Sequence, residues 1–564
     1  MQSSRGPSAH FAKVVVPFCE ANGFGTAVSH AAKALVEKKS YAETLNTPGA
    51  ARGMLRELVN LMEGNKVQVV ERPPGVKPIT STWAHKSQKD WKLEHDGKQP
   101  DDVDELRSRM CPRGYEQVPG ESYNPDSIEA PTPHHETVRL FHSLSVNRDQ
   151  YVTLIDEKSA FMETPLDDGD EVYMEFPDGM SDPTGKHCLK MLNSINGIKQ
   201  AANNYYRRSR TFLLSEGFQV SKKDPCYFFK WVNKVYFQIL VWVDDSRIAC
   251  DCPELAEEFA TKFLSTHKGT RSDGSDYLGT EIDYNRAAGT LTISVKKKVQ
   301  SLLQQFGMQD CRPVSTPAVP HTQLTKPTGD NPPDSTFDYV SAVYTMYWIA
   351  LIGKPEILFA VRDMSQYTHD FDQSHIIAAK HTMRYLAGQL DNHLTLHRGT
   401  SGYIRSRVYA DADFAGCPEE SLTPMRSTSG ILVYLVGIGM ILPVCKGQPT
   451  IARSTAEAEY RSSGLASTIV IGIDEFLAEI GFPQDGPTMI HQDNMACIKM
   501  TKSLLCGSKS RHIKIEHHFI RELVANNQII LVACPTSQMV ADLFTKNLAK
   551  PQFEYLRDIL YYRL

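Results

Sequence analysis

The sequence predicts a mixed α/β fold (α+β) in two halves, and three observations support this prediction. In the first half a helical stretch, GMLRELVNLMEGN (Gly53 to Asn65), is followed by the strand-like VQVVERP. In the second half, strand-like patterns begin at Tyr403 and alternate with helical ones. Between the halves, residues 313–338 contain six prolines among Thr, Gly and Asp, which indicates a semi-extended linker that divides the protein in two.

The composition is typical of a folded intracellular protein. With 564 residues, the chain is long enough for about three or four domains of ordinary size. Its 41% hydrophobic and 23% charged residues exclude the collagen-like, disordered and disulfide-scaffold classes. A net charge of −5 does not indicate a nucleic-acid binder, so any basic groove must be a local feature. Twelve scattered cysteines without a CxxC pair indicate reduced thiols.

No segment predicts secretion or insertion into a membrane. The N-terminus lacks a basic region followed by an apolar core, so we expect no secretory signal. The longest apolar stretch, GILVYLVGIGMILPV (Gly430 to Val444), is shorter than the roughly 20 residues of a membrane helix and contains Gly437 and Gly439. We interpret it as two buried strands around a glycine turn, and we expect no membrane partner.

Two further patterns in the first half predict a hairpin and a strand followed by a helix. YFQILVWVDDSRIACD (residues 236–251) has two β-rich segments around Val-Asp-Asp, which predicts a hairpin with carboxylates at its turn. TLTISV (residues 290–295) predicts a strand, and the apolar spacing after it predicts a helix that ends at Gly307. Residues 296–298 are lysines on the other face of that helix, which indicates either a solvated surface or a contact with a phosphate backbone.

Acidic residues in apolar surroundings are the candidate catalytic groups of the first half. Asp156 lies in the strand-like VTLIDEKSAF, and Asp244 and Asp245 lie in VWVDD. A carboxylate in an apolar strand needs a partner or a cation. If neighbouring strands bring Asp156 beside Asp244, the pair can hold two magnesium ions roughly 3.5–4 Å apart. The alternative that the residues leave open is that these aspartates only end strands or form turns.

Four more acids have suggestive contexts in the second half, beyond a mostly helical stretch at residues 339–392. They are Asp411 in VYADADFAG, Glu459 in STAEAEY, Asp493 in IHQDNMACI and Asp542 in QMVADLFTK. The first and third end strand-like runs, and Ser454 is a predicted N-cap of the helix that contains Glu459. Four converging carboxylates would hold two magnesium ions able to activate water against a phosphodiester. Four unrelated surface acids are the alternative.

Seven sequence blocks of the first half, taken in chain order, carry a resemblance to a known family. They are ELVNLMEGNKVQVVERPPGVKPI, RSRMCPRGYEQVPGESYNPDSIEAPTPHHETVR, LIDEKSAFMETPLDDGDEVYMEFPDGM, CLKMLNSINGIKQAANNYYRRSRTFLLSEGF, VWVDD, YLGTEI and FGMQDCRPVSTP. With them, the segment from about Glu57 to Ala318 resembles the reverse transcriptase domain of copia-type LTR retrotransposons. The resemblance implies that Asp156, Asp244 and Asp245 ligate the metals and that Phe161 is a steric gate that selects deoxynucleotides. It also implies that four residues lie near the incoming nucleotide, namely Arg109, Arg113, Lys199 and Gln200.

Six blocks of the second half carry a second resemblance. They are YADADFAG, RSTSG, CKGQPTIARSTAEAEY, HQDNMACI, SRHIKIEHHFIRE and VADLFTK. With them, residues from about 403 to 548 resemble the ribonuclease H domain of the same elements, which implies a mixed five-stranded sheet with GILVYLV and GMILPV as its second and third strands. The metal ligands that this resemblance implies are Asp411, Glu459, Asp493 and Asp542, in preference to the nearby Asp413 and Glu457.

Together the two resemblances imply a domain order and a function. The implied order is an unassigned segment 1–44, a reverse transcriptase 45–312 (fingers, palm and thumb), the linker 313–338, a helical connection 339–402, a ribonuclease H-like domain 403–548 and a tail 549–564. The implied function is RNA-directed DNA synthesis with hybrid cleavage, using two Mg²⁺ ions per active site, or Mn²⁺. The implied partners are an RNA template, a DNA primer, an RNA/DNA hybrid and dNTPs, in the cytoplasm or in virus-like particles.

Departures from the family's pattern keep two alternatives open. Trp242 replaces the usual Tyr before Val-Asp-Asp, Ser246 and Arg247 replace residues that are usually apolar, and Asn196 replaces an aromatic residue. One alternative is a catalytically inactive remnant that binds nucleic acid. The other is a ribonuclease H whose polymerase half is dead.

Overall fold

The computed structural model describes residues 50–87, 106–167, 169–178, 180, 182, 184–400, 404–502 and 514–562. The segment 1–44, for which the sequence predicts no element, lies outside the described residues. So does 88–105, the main part of a strongly polar stretch. The described residues form the mixed α/β fold that the sequence predicts.

Twelve α-helices and twenty β-strands occur in the described residues. The helices are α1 (Ala50–Glu63), α2 (His135–Asn147), α3 (Ala201–Ser215), α4 (Pro253–Thr266), α5 (Lys296–Gln305), α6 (Tyr339–Ile352), α7 (Leu358–Ser365), α8 (Gln373–Ala387), α9 (Thr455–Glu479), α10 (Met495–Lys502), α11 (Lys514–Ala525) and α12 (Lys550–Tyr562). The strands are β1 (Val67–Glu71), β2 (Ser81–Ser87), β3 (Leu106–Pro112), β4 (Tyr151–Glu157), β5 (Tyr173–Met174), β6 (His187–Met191), β7 (Gln219–Val220), β8 (Tyr227–Val232), β9 (Val235–Trp242), β10 (Asp245–Cys250), β11 (Gly269–Ser272), β12 (Asp276–Tyr277), β13 (Thr280–Asn285), β14 (Thr290–Ser294), β15 (Leu394–His397), β16 (Ser406–Asp413), β17 (Thr428–Leu435), β18 (Gly439–Gly447), β19 (Thr488–Gln492) and β20 (Ile529–Ala533).

A six-stranded antiparallel sheet contains the predicted hairpin. Its strand order is β11-β4-β10-β9-β8-β7, so that β9 and β10 form the hairpin and β10 also pairs with β4. Because side chains alternate along a strand, Phe237 and Ile239 of β9 pack with α4, whereas Tyr236 and Leu240 pack with the apolar core that includes α2. The sheet is therefore covered on both faces, and its hairpin turn lies at one end.

Three smaller sheets complete the first half. Their strand orders are β1-β6-β5, β2-β3 and β12-β13-β14-β15. Helix α5 follows β14 as predicted, and Lys296 and Lys297 form ion pairs with Asp391 (2.7 Å) and Glu281 (3.0 Å). These contacts favour the solvated-surface interpretation of the lysines. The stretch 339–402, predicted as a helical connection, is mostly helical as far as α8 and then contributes β15 to this sheet.

The second half contains a mixed five-stranded sheet with the order β18-β17-β16-β19-β20. The pairs β16–β19 and β19–β20 are parallel, and the others are antiparallel. The longest apolar stretch forms β17 and β18. Gly437 lies in the turn between them and Gly439 begins β18, and their φ angles of +72° and +151° favour glycine. This confirms the predicted strands and glycine turn. Among the described helices, none has both the length and the apolar character needed to cross a membrane.

The two halves share one apolar core, although the sequence predicts that the linker divides them. A single cluster of buried side chains includes Leu140 and Tyr227 from the first half and Phe476 from the second, with the Tyr227 and Phe476 rings 4.9 Å apart. Residues 313–338 have no helix or strand, as predicted, but they are packed against the protein. For example, Thr382 Oγ1 donates a hydrogen bond to the Pro317 carbonyl at 2.8 Å.

The stretch 549–564, predicted as a tail, forms helix α12 through Tyr562 and packs against the rest of the protein. Phe553 and Leu556 are buried, and the Tyr561 hydroxyl lies 2.6 Å from Glu356 Oε2 and 3.1 Å from the Gly353 carbonyl oxygen, the two acceptors available to its single hydrogen. The apolar residues at helical spacing in this segment explain why it folds against the connection helices.

Candidate functional site

The turn between β9 and β10 brings together the three aspartates predicted for the first site. Asp245 begins β10 and lies directly opposite Asp156 of β4 in the antiparallel pairing. Asp244 is exposed in the turn, where its carbonyl accepts a hydrogen bond from Glu157 N at 2.9 Å. Val243 has a φ of +52°, a left-handed conformation that a β-branched residue seldom adopts. This turn therefore places two consecutive carboxylates at the end of β4.

The carboxyl groups at this end of the sheet lie close enough to raise one another's pKa. Burial, and then the charges of Asp244 and Asp156, raise the pKa of Asp245 to about 7. Burial also raises the pKa of Glu157 to about 7, although the Tyr205 hydroxyl donates a hydrogen bond to it. Neighbouring carboxylate oxygens are the donors that a hard divalent cation prefers, so these residues fit the magnesium that the resemblance implies.

The predicted steric gate, Phe161, lies four residues beyond the end of β4. Its half-buried ring packs edge-on against the ring of Tyr205, with centroids 6.0 Å apart. Tyr205 is fully buried and donates its hydroxyl hydrogen to Glu157. Phe161 therefore contacts Tyr205, and Tyr205 contacts Glu157 of the strand that carries Asp156.

Two of the four residues predicted to lie near the nucleotide are exposed arginines. Arg109 lies on β3, opposite Ala84 of β2. Arg113 follows β3, and its Nη1 atom is 4.0 Å from Glu116 Oε1. Both guanidinium groups are therefore accessible to an anionic ligand.

The other two, Lys199 and Gln200, make contacts within the protein. Lys199 Nζ donates to the Tyr123 hydroxyl at 3.0 Å and lies 4.7 Å from the centre of that ring. Gln200 is fully buried: its Oε1 accepts from Gln117 Nε2 at 3.0 Å, and its Nε2 donates to Asp170 Oδ2 at 3.1 Å. The amide of Gln200 therefore holds neighbouring loops together.

Three of the four departures from the family's pattern, Trp242, Ser246 and Arg247, lie on the strands that flank the aspartate turn. Arg247 is fully buried, its Nη1 donates to the Gly274 carbonyl at 2.8 Å, and its guanidinium lies 4.9 Å from the Tyr277 ring. Neither Arg247 Nε nor Ser246 Oγ has a hydrogen-bond partner in the described part of the chain. Trp242 and Tyr277 line a cavity of about 300 Å³. Arg247 and Ser246 therefore each bury one polar atom that lacks a hydrogen-bond partner among the described residues.

The second candidate site lies where four elements of the five-stranded sheet domain meet. Asp411 lies near the end of the central strand β16, Glu459 lies in the second turn of α9, Asp493 follows β19, and Asp542 lies in a 3-10 helix (Val540–Phe544). Ser454 caps α9, because its side chain accepts a hydrogen bond from Glu457 N. The predicted cap is thereby confirmed, and it fixes where Glu459 faces the sheet.

Three of these four carboxylates form a tight group. Asp411, Glu459 and Asp493 each have one carboxylate oxygen within 4.8 Å of an oxygen of the other two. Among the described residues, these three form the group that could hold a metal ion. The three aspartates of the first site do not form so compact a group. Burial, and then the charge of Asp411, raise the pKa of both Glu459 and Asp493. The charge and the oxygen donors again fit a divalent cation.

The fourth carboxylate, Asp542, is held by different partners. Its Oδ1 is 2.9 Å from Lys546 Nζ, and its Oδ2 accepts from Gln552 Nε2 at 3.3 Å. Lys546 Nζ is also 3.5 Å from Asp411 Oδ2. Lys546 is not among the residues predicted from the sequence, although its spacing of four residues from Asp542 is a signal for such a contact.

The two nearby acids that are not predicted metal ligands, Asp413 and Glu457, also have defined environments. Burial raises the pKa of Asp413 to about 6, partly offset by Lys546. Glu457 forms an ion pair with Arg461 at 2.6 Å and accepts a hydrogen bond from Arg453 N at 2.9 Å. Glu457 therefore stabilises the start of α9, and it does not belong to the tight group of Asp411, Glu459 and Asp493.

Comparison with known proteins adds three findings. Residues 64–320 match the sequence family described as reverse transcriptase (RNA-dependent DNA polymerase). The chain is 28% identical over 542 residues to the retrovirus-related Pol polyprotein from transposon TNT 1-94 of Nicotiana tabacum, covering 93% of this chain and 39% of that protein. It is also 28% identical over 533 residues to the corresponding polyprotein from transposon RE2 of Arabidopsis thaliana, covering 92% of this chain and 35% of that protein.

A solved structure of a foamy viral protease-reverse transcriptase in complex with double-stranded DNA is also similar. Its TM-score is 0.47 at 12% identity, and the match covers 86% of this chain and 69% of that one. The chain spans less than two fifths of the length of the two transposon polyproteins. Residues 64–320 therefore belong to the reverse transcriptase family, and the chain is related over nearly all of its length to the Pol polyproteins of copia-type retrotransposons.

Proposed function

We propose that the chain is an RNA-directed DNA polymerase with a C-terminal ribonuclease H activity. The observation that carries the proposal is that each half of the chain gathers its own set of carboxylates. The first set is Asp156, Asp244 and Asp245, and the second is Asp411, Glu459, Asp493 and Asp542. Two such sets suit two reactions at phosphate esters, synthesis in one half and hydrolysis in the other.

The carboxylates of each site would hold Mg²⁺ or Mn²⁺, two ions per site. A bound ion of this kind lowers the pKa of an attacking hydroxyl or water and neutralises charge on the leaving oxygen. The contribution of the protein is to hold the ligands in place. Asp245 is fixed by strand pairing with Asp156. Glu459 is fixed by Gln492 Nε2, which donates to its Oε2 at 3.2 Å, and Asp493 by Thr536 Oγ1 at 2.9 Å.

The predicted partners of the first site are an RNA template, a DNA primer and dNTPs. Phe161, which lies near the end of β4, would pack against the sugar and exclude a 2′-hydroxyl group. The accessible guanidinium groups of Arg109 and Arg113 suit triphosphate oxygens. The amide of Gln200 is already used inside the protein, so we assign it a positioning role. We place the activity in the cytoplasm or in virus-like particles, acting on the RNA/DNA hybrid as its product.

Two assays on the purified chain test the proposal. We expect incorporation of dTTP on poly(rA)/oligo(dT) with Mg²⁺, and cleavage of the RNA strand of an RNA/DNA hybrid. Asp244→Asn should abolish incorporation and leave cleavage intact, and Asp493→Asn should do the reverse, because each residue belongs to one carboxylate set only. Loss of both activities in either variant, from folded protein, would contradict two separate sites.

A ribonuclease H with an inactive polymerase half is the second candidate. The observation that favours it is Arg247, which buries an incompletely bonded guanidinium two residues after Asp245. Cleavage of the hybrid without primer extension would support this candidate. Absence of both activities from the folded chain would instead support an inactive, nucleic-acid-binding remnant.

A further inference from the structure

The ammonium group of Lys546 lies between two carboxylates of the second candidate site. Its Nζ atom is 2.9 Å from Asp542 Oδ1 and 3.5 Å from Asp411 Oδ2. The side chains of Asp542 and Asp411 are 1% and 3% exposed, whereas that of Lys546 is 37% exposed. A cation of the protein itself therefore bridges this pair, and solvent can reach it.

Lys546 divides the four carboxylates into two parts. The tight group contains Asp411, Glu459 and Asp493, and it does not contain Asp542. Asp542 contacts the Lys546 ammonium and the Gln552 amide. Asp411 belongs to both parts, because it also faces Glu459 and Asp493. A divalent cation bound between Asp411 and Asp542 would have to take the place of the Lys546 ammonium, which contacts both carboxylates.

Charge balance supports the same division. The four carboxylates carry four formal negative charges, and the ammonium together with one divalent cation balances three of them. A second divalent cation added beside the ammonium would bring like charges together in a poorly solvated site. Movement of the ammonium into solvent removes this repulsion, and the exposure of Lys546 permits such movement.

We propose that Lys546 makes the two metal positions of this site unequal. The position formed by Asp411, Glu459 and Asp493 takes a divalent cation readily. The position between Asp411 and Asp542 takes one only when the Lys546 ammonium is displaced. The inference rests on the proposed nuclease function, and it makes Lys546 a positioning residue that controls occupancy of the second metal position.

The test counts bound ions and does not depend on activity. The whole chain carrying Asp244→Asn and Asp245→Asn, which remove two of the three carboxylates of the first site, is titrated with Mn²⁺, and free Mn²⁺ is measured by electron paramagnetic resonance. We expect one tight ion and a second that binds at least about tenfold more weakly. Lys546→Met keeps the length of the side chain and removes the charge, so it should tighten the second ion by about tenfold or more.

Two further variants make the result specific. Lys550→Met, in the same segment but 4.0 Å from Glu554 and exposed, should leave both affinities unchanged. Lys546→Arg retains a cation and should keep the second ion weak. Two equally tight ions in the protein with Lys546 intact would overturn the inference, and this outcome can be obtained even if Lys546→Met fails to fold. An unchanged second ion in folded Lys546→Met would also overturn it.

Hybrid cleavage, measured in the same preparations, separates this inference from the proposed function. Protein that binds one tight and one weak ion but never cleaves a hybrid would reject the nuclease activity and retain the role of Lys546. Protein that cleaves the hybrid with two equally tight ions would do the opposite.

Discussion

The shared core of the two halves leads to a prediction about Arg139 on α2. Its guanidinium is buried and donates hydrogen bonds to carbonyls of three residues, Leu351 and Ile352 at the end of α6 and Ile441 of β18. The bond to Ile441 measures 2.9 Å and the bond to Ile352 measures 3.4 Å. One side chain from the first half therefore ties together the connection helices and the five-stranded sheet.

Two opposing contributions determine how much Arg139 adds to the free energy of unfolding. Burial lowers the pKa of Arg139 to about 10 from 12.5, which corresponds to about 3 kcal/mol against the buried charge. Hydrogen bonds from a charged donor contribute about 1.5–3 kcal/mol each, so three bonds, one of them long, contribute about 5 kcal/mol. The net stabilisation is about 2 kcal/mol. Because Arg139→Met also leaves buried carbonyls without a donor, we expect the free energy of unfolding to fall by about 2–4 kcal/mol.

The assay is heat inactivation followed by measurement of primer extension and hybrid cleavage in the same samples. If the halves unfold together, both activities are lost at one temperature, and Arg139→Met lowers that temperature by about 2–4 °C for both. Arg72→Met is the matched control, because the exposed ion pair of Arg72 with Glu175 should contribute less than about 1 kcal/mol. Loss of one activity well before the other, or a Tm of Arg139→Met equal to that of the control, would refute the shared core as a cooperative unit.

Three more predictions follow from contacts in the first half. Phe161→Val should raise incorporation of ribonucleotides relative to deoxynucleotides by about tenfold or more, because a smaller side chain leaves room for a 2′-hydroxyl, and single-nucleotide extension measures this ratio. Gln200→Ala should lower the free energy of unfolding in urea by about 1–3 kcal/mol, because it leaves the side chains of Gln117 and Asp170 without their buried partner. The raised pKa of Glu157, about 7 against an ordinary 4.5, means that its stabilising contribution is present below pH 4.5 and is lost as the pH rises through 7. Glu157→Gln should therefore be more stable than the wild type at pH 8 and similar to it at pH 5 in urea unfolding, and a difference independent of pH would contradict this assignment.

The elements that the sequence predicted correctly have local causes. Alternation of apolar residues on both sides of Val-Asp-Asp predicts β9 and β10, and the turn between them needs no distant contact. Gly437 marks the turn between β17 and β18 because it adopts a positive φ. Ser454 marks the start of α9 because its side chain accepts the hydrogen bond that a helix terminus needs.

The features that the sequence did not predict depend on contacts between distant residues. The acceptors of Arg139 at Leu351 and Ile441 lie 212 and 302 residues away along the chain. No local pattern distinguishes such an arginine from a solvated one. Helix α12 was predicted as a tail for the same reason, because the surfaces that bury Phe553 and bond Tyr561 come from elements about 200 residues earlier.

The two candidate sites differ in how far the protein alone organises them. In the second site, Asp411 and Glu459 are buried and are held by a helix and a strand of one packed domain, so the ligands are close together before any ligand binds. In the first site, Asp156 and Asp244 are exposed, and the three aspartates do not form a compact group in the described chain. Exposure weakens the electrostatic attraction of these carboxylates for a cation. We therefore expect the first site to need the phosphates of a bound nucleotide to complete its metal ligands. The second site is assembled by folding, and in our proposal only its second metal position requires displacement of the Lys546 ammonium.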